Sequence, residues 1–139
     1  MFGRKVKRLV RTRRSRRPRA WSPAQKQHYF LHKEAARTLV HAKLDHWNQL
    51  YNFTYNRVTI RNTRSRWGSC SSKKNLNFNY RILFLPPELQ DYLIVHELCH
   101  LQEMNHAPQF WSLVAQQVPD YQLRMQQLRA LEPELMQMK

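Results

Sequence analysis

Apolar positions along the chain change period twice, and those changes divide it into elements. From Ser22 to about Leu50 the period is helical. Ala36, Val40, Leu44 and Tyr51 form one line, and Leu31, Ala35, Leu39, Lys43 and Trp47 form a second beside it. Ser22 suits the N-cap, Pro23 the first helical position, and Gln25 completes a capping box. Over residues 55–82 the period falls to two. Val58 and Ile60 alternate with Arg57, Thr59 and Arg61, and Leu76, Phe78, Tyr80 and Ile82 alternate with Asn77, Asn79 and Arg81. Strands with one buried face are expected there. Between them, 64–71 reads as a middle or edge strand, and 71–75 as a polar turn into the next one. Gly68, in that strand, marks a bulge or a place where another backbone comes close.

Pro86-Pro87-Glu88 ends the strands and opens a second long helix, expected to run to about Met104. Leu89, Leu93, Ile94, Val95, Leu98 and Leu101 make it apolar on most sides, so it belongs inside. A short amphipathic helix follows over 108–117, carrying Phe110, Trp111, Val114 and Ala115. Val118-Pro119 breaks it, and Asp120 suits the cap of a last helix with Leu123, Leu128 and Leu131. The pattern predicts one α+β domain over 22–131, with a basic arm at 1–21 and a frayed tail at 132–139.

Composition changes this picture in one respect. The 139 residues carry a formal charge of +15, and it is unevenly spread. Residues 1–33 hold twelve Lys and Arg and no acid, whereas 34–139 hold twelve against nine acids. The arm, with Arg11, Arg13, Arg14, Arg16 and Arg17 at its densest, is suited to a polyanion such as nucleic acid or an anionic membrane surface. No apolar run is long enough to span a membrane, and no secretory signal is legible. Cys70 and Cys99 make no disulfide framework, so a reduced, cytoplasmic setting is expected.

The chemistry concentrates in Val95–His106. His96-Glu97-Leu98-Cys99-His100 is an H-E-x-x-H pattern inside the apolar helix. Residues four apart stand about 40° apart on a helix, so His96 and His100 can hold one metal ion from one face. Glu97, turned about 100° from His96, can take a proton from water there without binding the metal. The third ligand is open between two residues. Glu103 follows His100 by three on the same face. His106 would lie about 15 Å from His96 along a continuous helix, so it needs a chain reversal. Asn105 suits a left-handed turn and Pro108 a fresh helix start, which favours His106. Neutral imidazoles with an open fourth position suit one zinc ion per chain.

These residues stand among a longer series: Arg66-Trp67-Gly68-Ser69-Cys70-Ser71, Leu85-Pro86-Pro87-Glu88-Leu89, the histidine helix, Met104-Asn105-His106, Phe110-Trp111 and Pro119-Asp120-Tyr121. From about residue 24 to 131 the chain resembles the YgjP-like metallopeptidase domain, a relative of SprT-like zinc proteases. The resemblance implies a compact zincin-like fold: a long N-terminal helix, a small antiparallel sheet, the active-site helix and C-terminal helices. It implies zinc on His96, His100 and His106, with Glu97 as catalytic base. Only the basic arm stands where typical members carry extra strands.

A protein or peptide substrate is expected on this reading. An extended peptide can pair with a sheet edge near Arg64–Cys70, which makes Arg66, Trp67, Gly68 and Ser69 candidate substrate-binding residues. Tyr121 and Arg81 are candidate partners for a developing oxyanion. Two other readings compete. One is nucleoside triphosphate pyrophosphatase activity, which the resemblance also admits. The other is a module tethered to nucleic acid by the arm, with or without protease activity.

Overall fold

The computed structural model describes residues 19–137. The arm arginines Arg11, Arg13, Arg14, Arg16 and Arg17 lie outside the described residues. Helix α1 spans Pro23–Tyr51 and opens as the sequence predicts. Ser22 Oγ accepts the Gln25 N–H at 3.1 Å, and Gln25 Oε1 accepts the Ser22 N–H at 2.8 Å. It closes on Asn52, whose left-handed φ of 57° ends the helix. Only one of its two apolar lines is buried: Ala36, Val40 and Leu44 are fully covered. Leu31 is 73% exposed and Ala35 also faces outwards, so the start of the second line is not core, while Trp47 at its end packs half-buried against the core.

Strands β1 (Arg57–Arg61), β2 (Gly68–Cys70) and β3 (Asn75–Asn79) form a sheet in the order β1-β3-β2. It is mixed, not antiparallel as expected: β2 pairs antiparallel with β3, while β1 runs parallel to it. The cause lies in the crossover at 62–67. It carries the chain from β1 to the far edge, so the 71–75 turn returns β3 into the middle. Asn79 fixes that crossover. Its side-chain NH2 donates to Thr63 O (2.8 Å), Thr63 Oγ1 (3.0 Å) and Arg66 O (3.0 Å), and its N–H donates to Trp67 O.

Asn79 also ends β3. Its Oδ1 accepts the Arg81 N–H at 3.0 Å, which gives the backbone an alternative to the ladder. Tyr80–Phe84 therefore forms a 3₁₀ helix, where alternation had predicted continued strand. Period two fails here because Tyr80, Arg81 and Ile82 are all buried. α2 (Pro87–Cys99) threads the centre of the core, flanked by α1, β2, α3 (Pro108–Gln117) and α4 (Tyr121–Met136). Asp120 holds the N-cap position of α4, but its carboxylate pairs with Arg124 at 2.7 Å in place of a backbone N–H. α4 continues through Glu132 to Met136, past the expected start of the tail. Among the described residues, no helix is long and apolar enough to cross a membrane.

Removing the Asn79 amide takes its donations from the crossover and leaves the buried Arg81 N–H without its acceptor. Asn79→Ala is expected to lower stability by about 1–3 kcal/mol, read from the urea unfolding midpoint.

Candidate metal centre

Helix α2 stops at Cys99, five residues before the predicted Met104. Its last bonds tighten: Leu101 N–H donates to Leu98 O, and both Gln102 and Glu103 N–H donate to Cys99 O. The reversal does not use a left-handed Asn105, since Asn52 and Lys74 are the only non-glycine residues with positive φ among those described. The chain turns over residues 100–103 instead, and His100 holds the turn. His100 Nδ1 lies 2.9 Å from Glu103 O. A carbonyl only accepts, so Nδ1 carries the proton and Nε2 keeps its lone pair. Glu103 thus enters the site through its backbone and not as the third ligand.

The turn brings His106 back beside α2. The three Nε2 atoms stand 3.2 Å (His96–His100), 3.0 Å (His100–His106) and 3.2 Å (His96–His106) apart. Donors at about 2.0–2.1 Å from one tetrahedral ion stand about 3.3 Å from each other, so this triangle fits such an ion. Among the described residues these three form the one group of His, Cys, Asp or Glu suited to hold a metal. No fourth side chain of those types completes it, so an open position remains. Burial, aided by the two neighbouring imidazoles, pushes His96 down to about 3, and burial also lowers His100. Neutral imidazole is the metal-binding form.

Residues whose part in the site was not legible in sequence surround these ligands. Tyr92, one turn before His96, places its hydroxyl 3.1 Å from His96 Nδ1. With Nε2 facing the cluster, Nδ1–H donates to that oxygen and fixes the ring. The i, i+4 spacing is the signal that would have found it. Phe110 stacks on His100 (centroids 4.3 Å, 17°) and stands edge-on to His96 and His106. Trp111 stacks on His106 (5.7 Å, 24°), and Tyr121 stacks on Trp111 (4.9 Å, 14°). Tyr121 therefore braces the aromatic layer and is not among the residues lining the cleft.

Glu97 faces the sheet. It is 4% exposed, and its Oε2 is buried without a hydrogen-bond partner. Burial pushes its carboxyl up to about 8. Gly68 makes the room: a Cβ there would stand 3.0 Å from Glu97 Cγ, 3.2 Å from Oε1 and 3.0 Å from Asn77 O. Gly68 thus has two close neighbours, the Glu97 side chain and the β3 backbone at Asn77, the second being the close backbone approach that its place in a strand suggested. Arg66, Gly68, Ser69, Cys70 and Met104 join the three histidines and Glu97 around an open cleft of about 340 Å³.

Two candidates do not reach this cleft. Trp67 is 7% exposed and belongs to the core. Arg81 is fully buried on the 3₁₀ helix, where its Nη1 donates to Asn62 Oδ1 and Thr63 O at 3.1 Å, so it is no oxyanion partner. Cys70 stays protonated, since burial, with help from Glu97, pushes its thiol up to about 11.

A histidine triangle suited to a metal ion thus stands beside a buried carboxylate of α2. The YgjP-like metallopeptidase domain matches residues 4–131, and the chain belongs to that family; it is a metallopeptidase. Among solved structures, the metallopeptidase zymogen of Pyrococcus abyssi abylysin is similar, with 22% identity and a TM-score of 0.60. The likeness covers 67% of this chain and 95% of that one. The metallopeptidase zymogen of Methanocaldococcus jannaschii jannalysin is 24% identical over 66% and 94%, with a TM-score of 0.48. The abylysin likeness is one of fold. No curated protein matches the chain.

His106→Ala is expected to abolish stoichiometric metal binding, checked by elemental analysis. Tyr92→Phe is expected to retain the site but weaken metal affinity about 10–100-fold, read by chelator competition.

Proposed function

We propose that the chain is a zinc-dependent peptidase, with zinc held by His96, His100 and His106 and Glu97 acting as general base. The observation that carries this is the convergence of three Nε2 atoms beside a buried carboxylate whose Oε2 has no partner. Zinc bound at such a site acidifies water and polarises a carbonyl. Glu97 takes the water proton and later returns it to the leaving amine. A carboxyl raised towards neutrality suits both transfers. Its position is held by Gly68 on one side and by the rigidity of α2 on the other.

The substrate strand has a place beside these groups. Asn79 N–H bonds Trp67 O, Ser71 N–H bonds Asn75 O, and Ser69 lies opposite Asn77. By strand alternation, the backbone groups of Gly68 and Cys70 point away from β3, to the outer edge of the sheet. β2 is the edge strand and borders the cleft. An extended peptide laid along it gains main-chain bonds while its carbonyl approaches the histidines.

The pyrophosphatase reading calls for a phosphate-binding loop or a second metal cluster. The described residues offer one cluster, and it adjoins a strand edge, which suits a peptide. A structural zinc is expected to have four protein ligands. Three histidines with an open position favour the catalytic use.

Zinc-loaded Glu97→Gln is expected to keep one metal per chain and lose about 10²–10⁴ in peptide hydrolysis. Full activity in that variant would remove Glu97 from the reaction. Gly68→Ala is expected to keep its metal and lower kcat through displacement of Glu97, measured beside elemental analysis.

A further inference from the structure

From His46 to Pro87 the chain contains no acid and seven cations: Arg57, Arg61, Arg64, Arg66, Lys73, Lys74 and Arg81. That segment holds the end of α1, the whole sheet with its turns and the 3₁₀ helix. Eight of the nine acids sit on the helices or at their ends, and Glu103 follows α2 in its closing turn. Among the described residues, the ion pairs are Arg37–Glu34, Lys43–Asp91 and Arg124–Asp120. None involves a cation of the sheet segment. Two of those cations are already engaged. Arg81 is buried in its hydrogen bonds, and Arg64 lies over the Trp21 ring at 4.0 Å.

Arg66 is different. It is exposed, it lines the histidine cleft, and its guanidinium makes no hydrogen bond within the described chain. It lies at the end of the crossover, just before β2, and lines the cleft together with Gly68, which faces Glu97. A second depression of about 120 Å³ shares Arg66, Gly68 and Ser69 with the cleft and adds Arg61 and Asn77. There Arg61 Nε donates to Asn77 Oδ1 at 2.9 Å, and Asn77 Nδ2 donates to Ser69 Oγ at 3.2 Å. That chain of bonds aligns Arg61 while its terminal nitrogens are left for a ligand. A peptide along β2 turns alternate side chains to these two sides. One set faces the cleft lined by Arg66, and the other faces the depression that Arg66 shares with Arg61.

Resting on the peptidase reading, we propose that this metallopeptidase selects peptides carrying acidic side chains beside the scissile bond. Arg66 is the principal specificity-determining residue and Arg61 supports it from the other side of β2. Planar guanidinium groups bind carboxylates by paired, charge-assisted hydrogen bonds, and the edge strand offers no carboxylate to compete.

Two experiments test this. In the first, zinc-reconstituted Glu97→Gln protein is titrated with fluorescein-labelled peptide pairs that differ only in Glu against Gln, and anisotropy is read. The Glu peptides are expected to bind about three- to tenfold tighter, a gain reduced by exposure to solvent. Arg66→Glu, made in the same background, is expected to reverse the preference towards Lys peptides. Arg61→Gln is expected to reduce it, and Arg57→Gln, on the same sheet but outside both linings, to leave it intact. Circular dichroism checks that each variant is folded. Equal affinity for Glu and Gln peptides overturns the inference, as does a preference untouched by both Arg66→Glu and Arg61→Gln. Tighter, Arg66-dependent binding of a single-stranded oligonucleotide would assign the surface to nucleic acid and overturn it too. In the second, wild-type protein digests a mixed peptide pool read by mass spectrometry. Cleavage without enrichment of Asp or Glu overturns the acid preference alone. No cleavage of any peptide overturns the peptidase reading beneath it.

Discussion

One hydrogen bond underlies the candidate metal centre: His100 Nδ1 to Glu103 O, at 2.9 Å. It sets three things together. It fixes which nitrogen of His100 has a lone pair, it stops α2 from continuing, and it turns the chain so that His106 returns. A helix running on through Glu103 would carry His106 about 15 Å from His96. The observed Nε2 separation is 3.2 Å. The ligand and the turn that delivers the next ligand are therefore one structural unit, and Phe110 seals it by touching all three imidazole rings.

The other half of the site comes from the sheet. Glu97 projects from an almost wholly buried helix, where a carboxylate is costly unless something uses it. The edge strand accommodates it by having no side chain at Gly68. The position of β2 depends in turn on Asn79, which ties the crossover, ends β3 and starts the 3₁₀ helix with a single side chain. The histidine triangle, the buried carboxylate and the edge strand thus meet because α2 packs directly against β2.

Much of this was legible in sequence where the signal is local. The Ser22–Gln25 capping box, the 71–75 turn, the apolar histidine helix and the fresh start at Pro108 all depend on neighbours a few residues away. What was not legible depends on distant partners. The parallel pairing of β1 with β3 reflects the crossover, which no strand pattern encodes. The alternation through Tyr80 and Ile82 read as strand because Arg81, though charged, is buried with them. The end of α2 was misplaced because its stop signal is a side chain bonding three residues ahead, not a glycine or asparagine. Trp67 looked like a cleft residue from its place beside Gly68, but an aromatic ring next to a glycine gains more from burial in the core than from exposure at an edge.

The triangle of histidines has a further consequence in how its ordering cost is met. His96 and His100 come from a helix held on several sides, and His106 arrives on a tether of five intervening residues. Phe110 and Trp111 already pin the end of that tether. The entropy of closing it is charged to folding and not to ion capture, so the third imidazole acts at very high effective concentration. The site is in this sense a chelator made rigid beforehand. Its grip resides as much in the aromatic layer of α3 as in the nitrogens that would touch the ion.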